Sequence, residues 1–497
     1  MTHRTPGGAR PASRTFNRLL RITLGAWLSI RFRASYDAEA LRTLEPPYLL
    51  VGNHTCNWDP FIMSIPVRGP VHFVASDEYF RTPLLRFAFS LVGGIPKTKN
   101  VRDTQAVRTL LALRRAGAVL GLYPEGNRNW DGVTGPLYSA TAKLIRKLAV
   151  PVVAVETTGG ALVQPRWARH ARHGPMHLSY RLLFTADECR TLSEQTLSDR
   201  LAAALAHDDL DAVATARNTA HGTARYTGRR LAEHLERFLF QCPACGRQDT
   251  LFSGDDRLGC TVCGLTVRYG TDGRFHSVPS GARGDGDGTG DGDVDGEGVA
   301  PPFDNPRDWN RWQCALLEDS IRSARTVSGV PSGDASVLLR NQGARHQTGG
   351  RTGRLKATGT GSLALLPDRL VFHYVESGRA PLALPLSGIT GLNIQYNDRV
   401  EMYFGDTLHR FSFPDADVSV WKWHQALLYA GVPGPEDSTG PAAAATARDA
   451  GTAAAPRDTI TAPAPGNAGT THAPGDTITA PAPGNTDSPA QTGGIRP

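Results

Sequence analysis

The feature that most restricts how this chain can fold is an alternation of short apolar segments and amphipathic segments between Pro47 and Val155. Apolar runs of this length are typical of buried strands, and the segments between them have helical spacing. Strands and helices in alternation favour an α/β domain, here with a mixed sheet flanked by helices. The predicted strands are Tyr48–Val51, Val71–Ala75, Val119–Tyr123 and Val150–Val155, and the predicted helices start at Pro60 and cover Thr104–Ala116 and Ala140–Leu148.

The length of 497 residues and the placement of Gly and Pro predict several domains, a linker and a tail. Residues 279–302 consist mostly of Gly and Asp, a composition that cannot form a packed core. Residues 433–497 repeat the phrase DTITAPAPGN and are predicted to be disordered. The other predicted parts are a basic tail (1–14), an amphipathic helix (15–35), the α/β domain (36–240), a cysteine module (241–278) and a β-rich domain with a preceding helix (303–432).

The first 33 residues contain arginine but no aspartate or glutamate. Between Phe16 and Phe32, apolar side chains recur at helical spacing. The uncharged stretch between Arg21 and Arg31 holds nine residues, fewer than the ~20 that span a bilayer. We expect this helix to lie on a membrane surface; packing against the domain core is the alternative that periodicity alone leaves open.

A histidine and an aspartate follow the first predicted strand in the segment VGNHTCNWDP. His54 stands at the end of the strand and Asp59 just before a predicted helix, so a turn can bring the carboxylate to the imidazole. An imidazole can remove a proton from a hydroxyl near neutral pH, and a carboxylate behind it fixes the tautomer and stabilises the imidazolium. The alternatives are a structural histidine and an Asp59 that only caps the helix beginning at Pro60.

Three further segments follow the one that holds His54 and Asp59. They are GGIPKTK at Gly93–Lys99, PEGNR at Pro124–Arg128 and VPVVAV at Val150–Val155. In this order and spacing, NHTCNWD and these three segments resemble the glycerolipid acyltransferase family to which the lysophosphatidic acid acyltransferases belong. Lys99 stands where the family has arginine, and Ala154 stands where it has a second proline. The resemblance covers residues 45–190 of the chain.

This resemblance implies direct transfer of a fatty acyl group from acyl-CoA or acyl-carrier protein to the hydroxyl of a lysophospholipid such as 1-acylglycerol-3-phosphate, with His54 as the base. No covalent acyl-enzyme is implied, and Cys56 is the less favoured alternative as a nucleophile. Glu125 either accepts hydrogen bonds from glycerol hydroxyls or holds Arg128 in place. The predicted substrate-binding residues are Lys97, Lys99 and Arg128 for the acceptor phosphate, with Glu125 and Gly126 beside them.

Two short cysteine motifs, CPACG at 242–246 and CTVCG at 260–264, are typical of a zinc ribbon. Four protein ligands leave zinc no open position, so the ion is predicted to be structural. Zinc ribbons often bind nucleic acid, but the sequence between the two motifs is acidic, so no nucleic acid is expected. The predicted zinc ligands are Cys242, Cys245, Cys260 and Cys263.

Short β segments followed by a helix at Val418–Leu428 give the last domain an element order that resembles a pleckstrin-homology or GRAM-type domain. Such domains bind lipid headgroups or proteins, and a domain without a ligand is the alternative. The predicted strands are Gly361–Leu365, Arg369–Tyr374, Leu382–Pro385, Ile389–Gln395, Arg399–Phe404 and Leu408–Phe413.

Together these features predict an acyltransferase of phospholipid synthesis or remodelling. We expect it to be a peripheral or monotopic protein on the cytoplasmic face of the cell membrane. Its expected partners are the lipid surface, the lysophospholipid acceptor and the acyl thioester donor. The alternative is a non-catalytic membrane adaptor that holds lipid and recruits partners through the zinc ribbon and the β-rich domain.

Overall fold

A computed structural model of the chain describes residues 12–97, 103–217, 224–278, 300–326, 337–350, 355–376, 378–414 and 418–434. Lys99 lies outside these ranges. So do residues 1–11 of the predicted basic tail, 279–299 of the predicted linker and 435–497 of the predicted C-terminal tail.

A seven-stranded sheet forms the framework of the first half of the chain. Across this sheet the strands lie in the order β1-β7-β6-β2-β5-β3-β4. Neighbours are parallel except for the antiparallel pair β6 and β7, so the predicted mixed sheet is confirmed. Its strands are β1 (Ala34–Asp37), β2 (Leu49–Gly52), β3 (Val71–Ser76), β4 (Ile95–Lys97), β5 (Val119–Leu122), β6 (Val152–Thr158) and β7 (Met176–Phe184).

Helices cover both faces of this sheet because successive side chains of the buried strands point to opposite sides. In β2, Leu50 packs into the core that contains Leu28 and Phe32, whereas Leu49 and Val51 pack into the core on the other face. The helices of this part are α1 (Arg14–Leu20), α2 (Ala26–Arg31), α3 (Asp59–Ser64), α4 (Pro83–Leu91), α5 (Thr104–Arg115), α6 (Ala140–Leu148), α7 (Gly160–Val163), α8 (Ala186–Thr191), α9 (Glu194–Leu205) and α10 (Asp209–Arg217).

The predicted amphipathic helix is present as α1 and α2, joined by a π-helical turn at Arg21–Gly25. Leu28 is fully buried against the domain, whereas Ile22 and Ile30 on the same segment are exposed. One face of this segment therefore packs on the core, and another presents apolar side chains at the surface. No helix in the described part of the chain is both long and apolar enough to cross a bilayer.

The cysteine-containing segment forms a small antiparallel sheet in the order β11-β10-β9-β8. Two of the four cysteines lie in the turn that precedes β8, and the others lie at the end of β9 and in the turn that follows it. The strands are β8 (Leu251–Gly254), β9 (Arg257–Cys260), β10 (Thr266–Tyr269) and β11 (Phe275–His276).

A second seven-stranded sheet, antiparallel throughout, forms the last part of the described chain in the order β15-β14-β13-β12-β18-β17-β16. It lies between a long helix before it and a short helix after it. These elements are α11 (Pro306–Thr326), β12 (Leu339–Gly349), β13 (Lys356–Leu365), β14 (Arg369–Tyr374), β15 (Leu382–Pro385), β16 (Ile389–Gln395), β17 (Arg399–Phe404), β18 (Thr407–Ser412) and α12 (Val420–Tyr429).

A third hydrophobic core contains residues of all three parts, which belong to one compact unit. Trp130 of the α/β part lies 5.8 Å from the ring of Phe238 and 5.4 Å from that of Trp421 in α12. A second link is ionic, since Arg410 in β18 contacts Glu78 after β3 at 2.8 Å. The β-rich sheet therefore packs directly against the α/β part.

Candidate functional site

His54 is placed at the carboxyl end of β2 by the residue before it. Asn53 is fully buried and exchanges two hydrogen bonds with the backbone of Thr157 in β6, at 3.0 and 2.8 Å. These bonds fasten the end of β2 to the neighbouring strand. Ligands of open α/β sheets commonly bind beyond the carboxyl ends of the strands, and His54 lies at that edge.

The predicted pair of His54 and Asp59 is assembled, with 2.8 Å between His54 Nδ1 and Asp59 Oδ2. Asp59 is only 2% exposed at the start of α3. Its Oδ2 atom also accepts hydrogen bonds from the backbone N–H groups of Thr55 and Cys56, at 2.7 and 2.9 Å. Because these donors converge on one carboxylate, the aspartate both orders the turn and orients the imidazole.

Cys56 is fully buried, and its thiol lies 3.0 Å from Asp59 Oδ1. Burial, reinforced by the nearby Asp59 charge, raises the pKa of this thiol well above its usual range. A neutral, enclosed thiol that donates to a carboxylate is a poor nucleophile. This geometry favours the structural role for Cys56 over the nucleophilic one.

The imidazole of His54 contacts an aromatic ring in addition to Asp59. Its ring stacks on Tyr123, with 4.3 Å between ring centroids. Its backbone N–H donates to Glu125 Oε1 at 2.6 Å, and the other oxygen of Glu125 accepts from the backbone N–H of Gly135 at 2.8 Å. Glu125 therefore ties the PEGNR segment to the turn that carries His54. Burial raises the pKa of Glu125 to about 8.

A cavity of about 1170 Å³ opens beside His54. Its wall is mostly apolar, with Phe61, Phe73 and Leu110 among the lining residues. This size and lining suit a ligand with a long apolar part. Asp59 and Glu125 are not among the lining residues, and their oxygens instead contact other groups of the protein.

Three of the predicted substrate-binding residues, Lys97, Gly126 and Arg128, line this cavity. Gly126 has φ +70°, and a Cβ atom there would lie 2.2 Å from the ring of Tyr138, so the position requires glycine. Burial lowers the pKa of both Lys97 and Arg128. Basic groups with little access to water are well suited to an anionic ligand.

The sequence prediction missed further basic residues of the cavity, which are Arg21, Arg108, Lys143, Lys147 and Arg166. Lys143 and Lys147 are one helical turn apart on α6, a spacing that the sequence does contain. Arg166 lies in no recognised segment, so no local signal identifies it. The far wall is formed by residues 394–396 of β16 and the turn after it, more than 300 positions away from His54.

The four predicted zinc ligands converge, since their Sγ atoms all lie within 4.8 Å of one another. Two of the Sγ–Sγ distances are 3.6 Å, between Cys242 and Cys263, and 3.8 Å, between Cys245 and Cys260. Tetrahedral zinc with Zn–S bonds of about 2.3 Å would place its sulfur atoms roughly 3.8 Å apart. This cluster of four cysteines therefore fits a tetrahedral metal ion with no open coordination position.

Comparison with known proteins agrees with the predicted family. Residues 33–157 match the model of the Acyltransferase family. A chloroplastic 1-acyl-sn-glycerol-3-phosphate acyltransferase of Brassica napus is 26% identical over 146 residues, which are 28% of this chain and 42% of that protein. A 1-acyl-sn-glycerol-3-phosphate acyltransferase of Borreliella burgdorferi is 25% identical over 109 residues, which are 22% of this chain and 44% of that protein.

Among solved structures, the chain is similar to the 1-acyl-sn-glycerophosphate acyltransferase PlsC of Thermotoga maritima, at 16% identity and a TM-score of 0.32, over 38% of this chain and 76% of that one. The chain spans less than half of the length of the two sequence relatives. The segment that holds His54, Asp59 and PEGNR is thus the segment that matches the Acyltransferase family.

Proposed function

We propose that this protein is an O-acyltransferase that moves a fatty acyl group from acyl-CoA or acyl-carrier protein to the hydroxyl of a lysophospholipid such as 1-acylglycerol-3-phosphate. The observation that carries the proposal is the His54–Asp59 pair, which lies at a large apolar cavity with basic residues in its wall. The sequence relatives are named for this reaction. No described contact favours the non-catalytic adaptor.

The reaction follows from the geometry of the pair. With Nδ1 directed to Asp59, Nε2 is the ring nitrogen that takes the proton from the acceptor hydroxyl. The hydroxyl oxygen attacks the thioester carbonyl carbon, the carbon–sulfur bond breaks, and the imidazolium returns its proton to the leaving thiolate. Asp59 stabilises the imidazolium between these two transfers.

The acceptor phosphate and the acyl chains are proposed to bind to different parts of the cavity wall, one basic and one apolar. The phosphate of the acceptor is placed near Arg128 and Lys97, and the acyl chains are placed along the apolar residues of the cavity. Glu125 acts as a positioning residue, because it holds the backbone of His54.

We infer membrane-surface binding from the exposed apolar side chains that adjoin this cavity. Leu84 in α4 is 75% exposed and Phe87 is 58% exposed, and none of the residues of α4 is buried. Asn17 in α1 donates to the carbonyl of Leu91 at 3.3 Å, which joins α4 to the equally apolar outer face of α1 and α2. Such a surface suits the acyl boundary of a lipid layer and gives a long-chain acceptor a path to the cavity. The cytoplasmic face of the cell membrane remains our proposed location.

The other two parts receive structural roles in this proposal. The four cysteines hold structural zinc in a ribbon-like fold, and the β-rich part is proposed to be a pleckstrin-homology-like domain. We propose no nucleic-acid partner.

The decisive experiment measures transfer of labelled acyl groups by the purified full chain in detergent, from acyl-CoA and from acyl-carrier protein, to a panel of lysophospholipids. Wild-type protein is expected to acylate at least one acceptor, and His54→Ala and Asp59→Ala are expected to abolish transfer with zinc content unchanged. His177→Ala is the matched control, since His177 lies in β7 outside the cavity lining. Absence of transfer to every acceptor from both donors would refute the proposal.

Membrane binding is tested separately by sedimentation with lipid vesicles. Leu84→Asp and Phe87→Asp are expected to weaken binding strongly, because burial of such a side chain is worth about 1.5–3 kcal/mol. A matched substitution at the exposed Leu182 of β7 should leave binding unchanged. Equal sedimentation of all these variants would refute the proposed membrane face.

A further inference from the structure

Arg166 is a buried cation in the wall of the candidate active-site cavity. Arg166 is only 6% exposed, and it is one of the residues that line the cavity. Its Nη1 atom donates to the carbonyl of Arg128 at 2.6 Å, and its Nη2 atom donates to the carbonyl of Ile394 at 3.0 Å. Its Nε atom has no hydrogen-bond partner among the described residues. The guanidinium thus has unused donor capacity inside the protein.

No carboxylate in the described part of the chain compensates the charge of Arg166. Arg128 and Tyr79 interact with it electrostatically, and the ring centroid of Trp130 lies 4.8 Å from its guanidinium carbon. His424 is also near, but burial, together with the charge of Arg166, lowers the pKa of His424 to about 3. Every charged neighbour of Arg166 among these groups is therefore positive.

A buried guanidinium is costly unless an anion is paired with it. The positive charge of Arg128, which also lines the cavity, adds repulsion to that cost. A ligand phosphate removes both costs at once, because its oxygens accept from several planar N–H groups. The cavity supplies the access that such a ligand needs.

We propose that Arg166 and Arg128 together bind the phosphate monoester of the acceptor, and that the carbonyl of Ile394 positions Arg166 for this purpose. This assignment rests on the proposed acyltransferase function and adds to it a residue outside the four recognised segments. It also gives the β-rich part a role in substrate recognition, because the carbonyl of Ile394 in β16 accepts a hydrogen bond from Arg166.

The test measures binding rather than turnover, so that it does not depend on the acyl-transfer reaction. Isothermal titration calorimetry compares 1-hexanoylglycerol 3-phosphate with uncharged 1-hexanoylglycerol, using the full chain and its Arg166→Gln and Arg166→Lys variants. Arg166→Gln is expected to weaken binding of the phosphate compound by about 10- to 100-fold, the equivalent of one lost hydrogen bond to a charged group. Binding of the uncharged compound is expected to stay unchanged.

The control is Arg169→Gln, because Arg169 is an exposed arginine that pairs with Glu233. If Arg166→Gln does not fold, Arg166→Lys keeps the charge but not the planar donors, and a roughly tenfold loss is expected. A folded Arg166 variant with wild-type affinity for the phosphate compound would overturn the assignment. Coenzyme A is titrated in parallel: a loss confined to coenzyme A would place the phosphate on the donor and would equally overturn it. Lack of acyl transfer with intact, Arg166-dependent phosphate binding would overturn only the proposed function.

Discussion

Replacement of Asp59 by asparagine removes the negative charge of the proposed catalytic pair but keeps the size and shape of the side chain. The amide oxygen can take the place of Oδ2 and keep the hydrogen bonds from His54 Nδ1 and from the backbone N–H groups of Thr55 and Cys56. The amide NH₂ group would then face the Thr55 hydroxyl and the Cys56 thiol, which now donate to Oδ1 and can turn to accept. Asp59→Asn should therefore fold normally and hold the same imidazole tautomer.

The expected loss is electrostatic. In Asp59→Asn, the imidazolium formed during transfer no longer has a negatively charged oxygen 2.8 Å from its Nδ1 atom. Two unit charges about 4 Å apart attract by roughly 4 kcal/mol at an effective dielectric constant of ~20. The amide dipole restores part of that attraction. Since about 1.36 kcal/mol is tenfold in rate, kcat should fall by about 10²- to 10³-fold.

The assay is steady-state acyl transfer with thermal unfolding of the same samples. Asp59→Asn should show the lower kcat with an almost unchanged Tm, whereas Asp59→Ala should lower both, because two backbone N–H groups lose their acceptor. Asp209→Asn is the matched control. Asp209 is equally buried and accepts from the backbone N–H groups of Gly159 and Ala161 and from His207, but its histidine partner does not line the cavity, whereas His54 does.

Two results would refute this reasoning. A folded Asp59→Asn protein with near-wild-type kcat would show that the carboxylate charge does not stabilise an imidazolium in the rate-limiting step. A loss of kcat as large in Asp209→Asn as in Asp59→Asn would show that the effect reports general disturbance of the fold.

Glu125→Gln should lower Tm and kcat together, because an amide can accept from only one of the backbone N–H groups of His54 and Gly135; unchanged values of both would contradict this. Stability should also fall as pH rises from about 6.5 to about 9. Burial opposes protonation of His207, but its hydrogen bonds to two carboxylates outweigh burial and raise its pKa to about 9. The folded state therefore binds one more proton than the unfolded state in that pH range, and this stabilisation is lost as pH rises through it. Urea unfolding across this pH range measures the slope, and a shallower slope in His207→Gln is the check. Chelation should release zinc from the four-cysteine cluster and lower Tm, as metal analysis and calorimetry can test. A fragment that ends at residue 302 should be far less stable than the full chain, and a similar Tm for both would contradict the shared core.

The central strands of the first sheet were predictable because their signals are local. The apolar runs at β2, β5 and β6 are short and uninterrupted, and the run at β3 is interrupted only by His72, as expected for strands with both faces buried. Their observed bounds differ from the predicted ones by a few residues at most. The His54–Asp59 pair was predictable for the same reason, since a single turn joins the two residues.

Other elements carry no such signal. β12 has the sequence LRNQGARHQTG, in which few side chains are apolar, and it forms because β13 and β18 pair with it on either side. This tertiary pairing overrides the low strand propensity of its residues. The contact between Arg166 and Ile394 joins positions 228 residues apart, and no periodicity in one sequence encodes such a contact.

Aromatic contacts and ion pairs with the α/β part fix the position of the β-rich sheet. Trp130 lies two residues after PEGNR, and its ring packs against that of Trp421 from α12, with 5.4 Å between centroids. Arg410 in β18 forms ion pairs with Glu401 in β17 and with Glu78 after β3, so the two sheets are joined by a partly buried ionic network next to the cavity. A buried network of this kind resists sliding, because displacement of either side leaves a charge unpaired. The β16 strand, which carries Ile394, is thereby fixed at the cavity wall. The substrate site is consequently a product of both sheets, and the segment that matches the Acyltransferase family supplies only part of its wall.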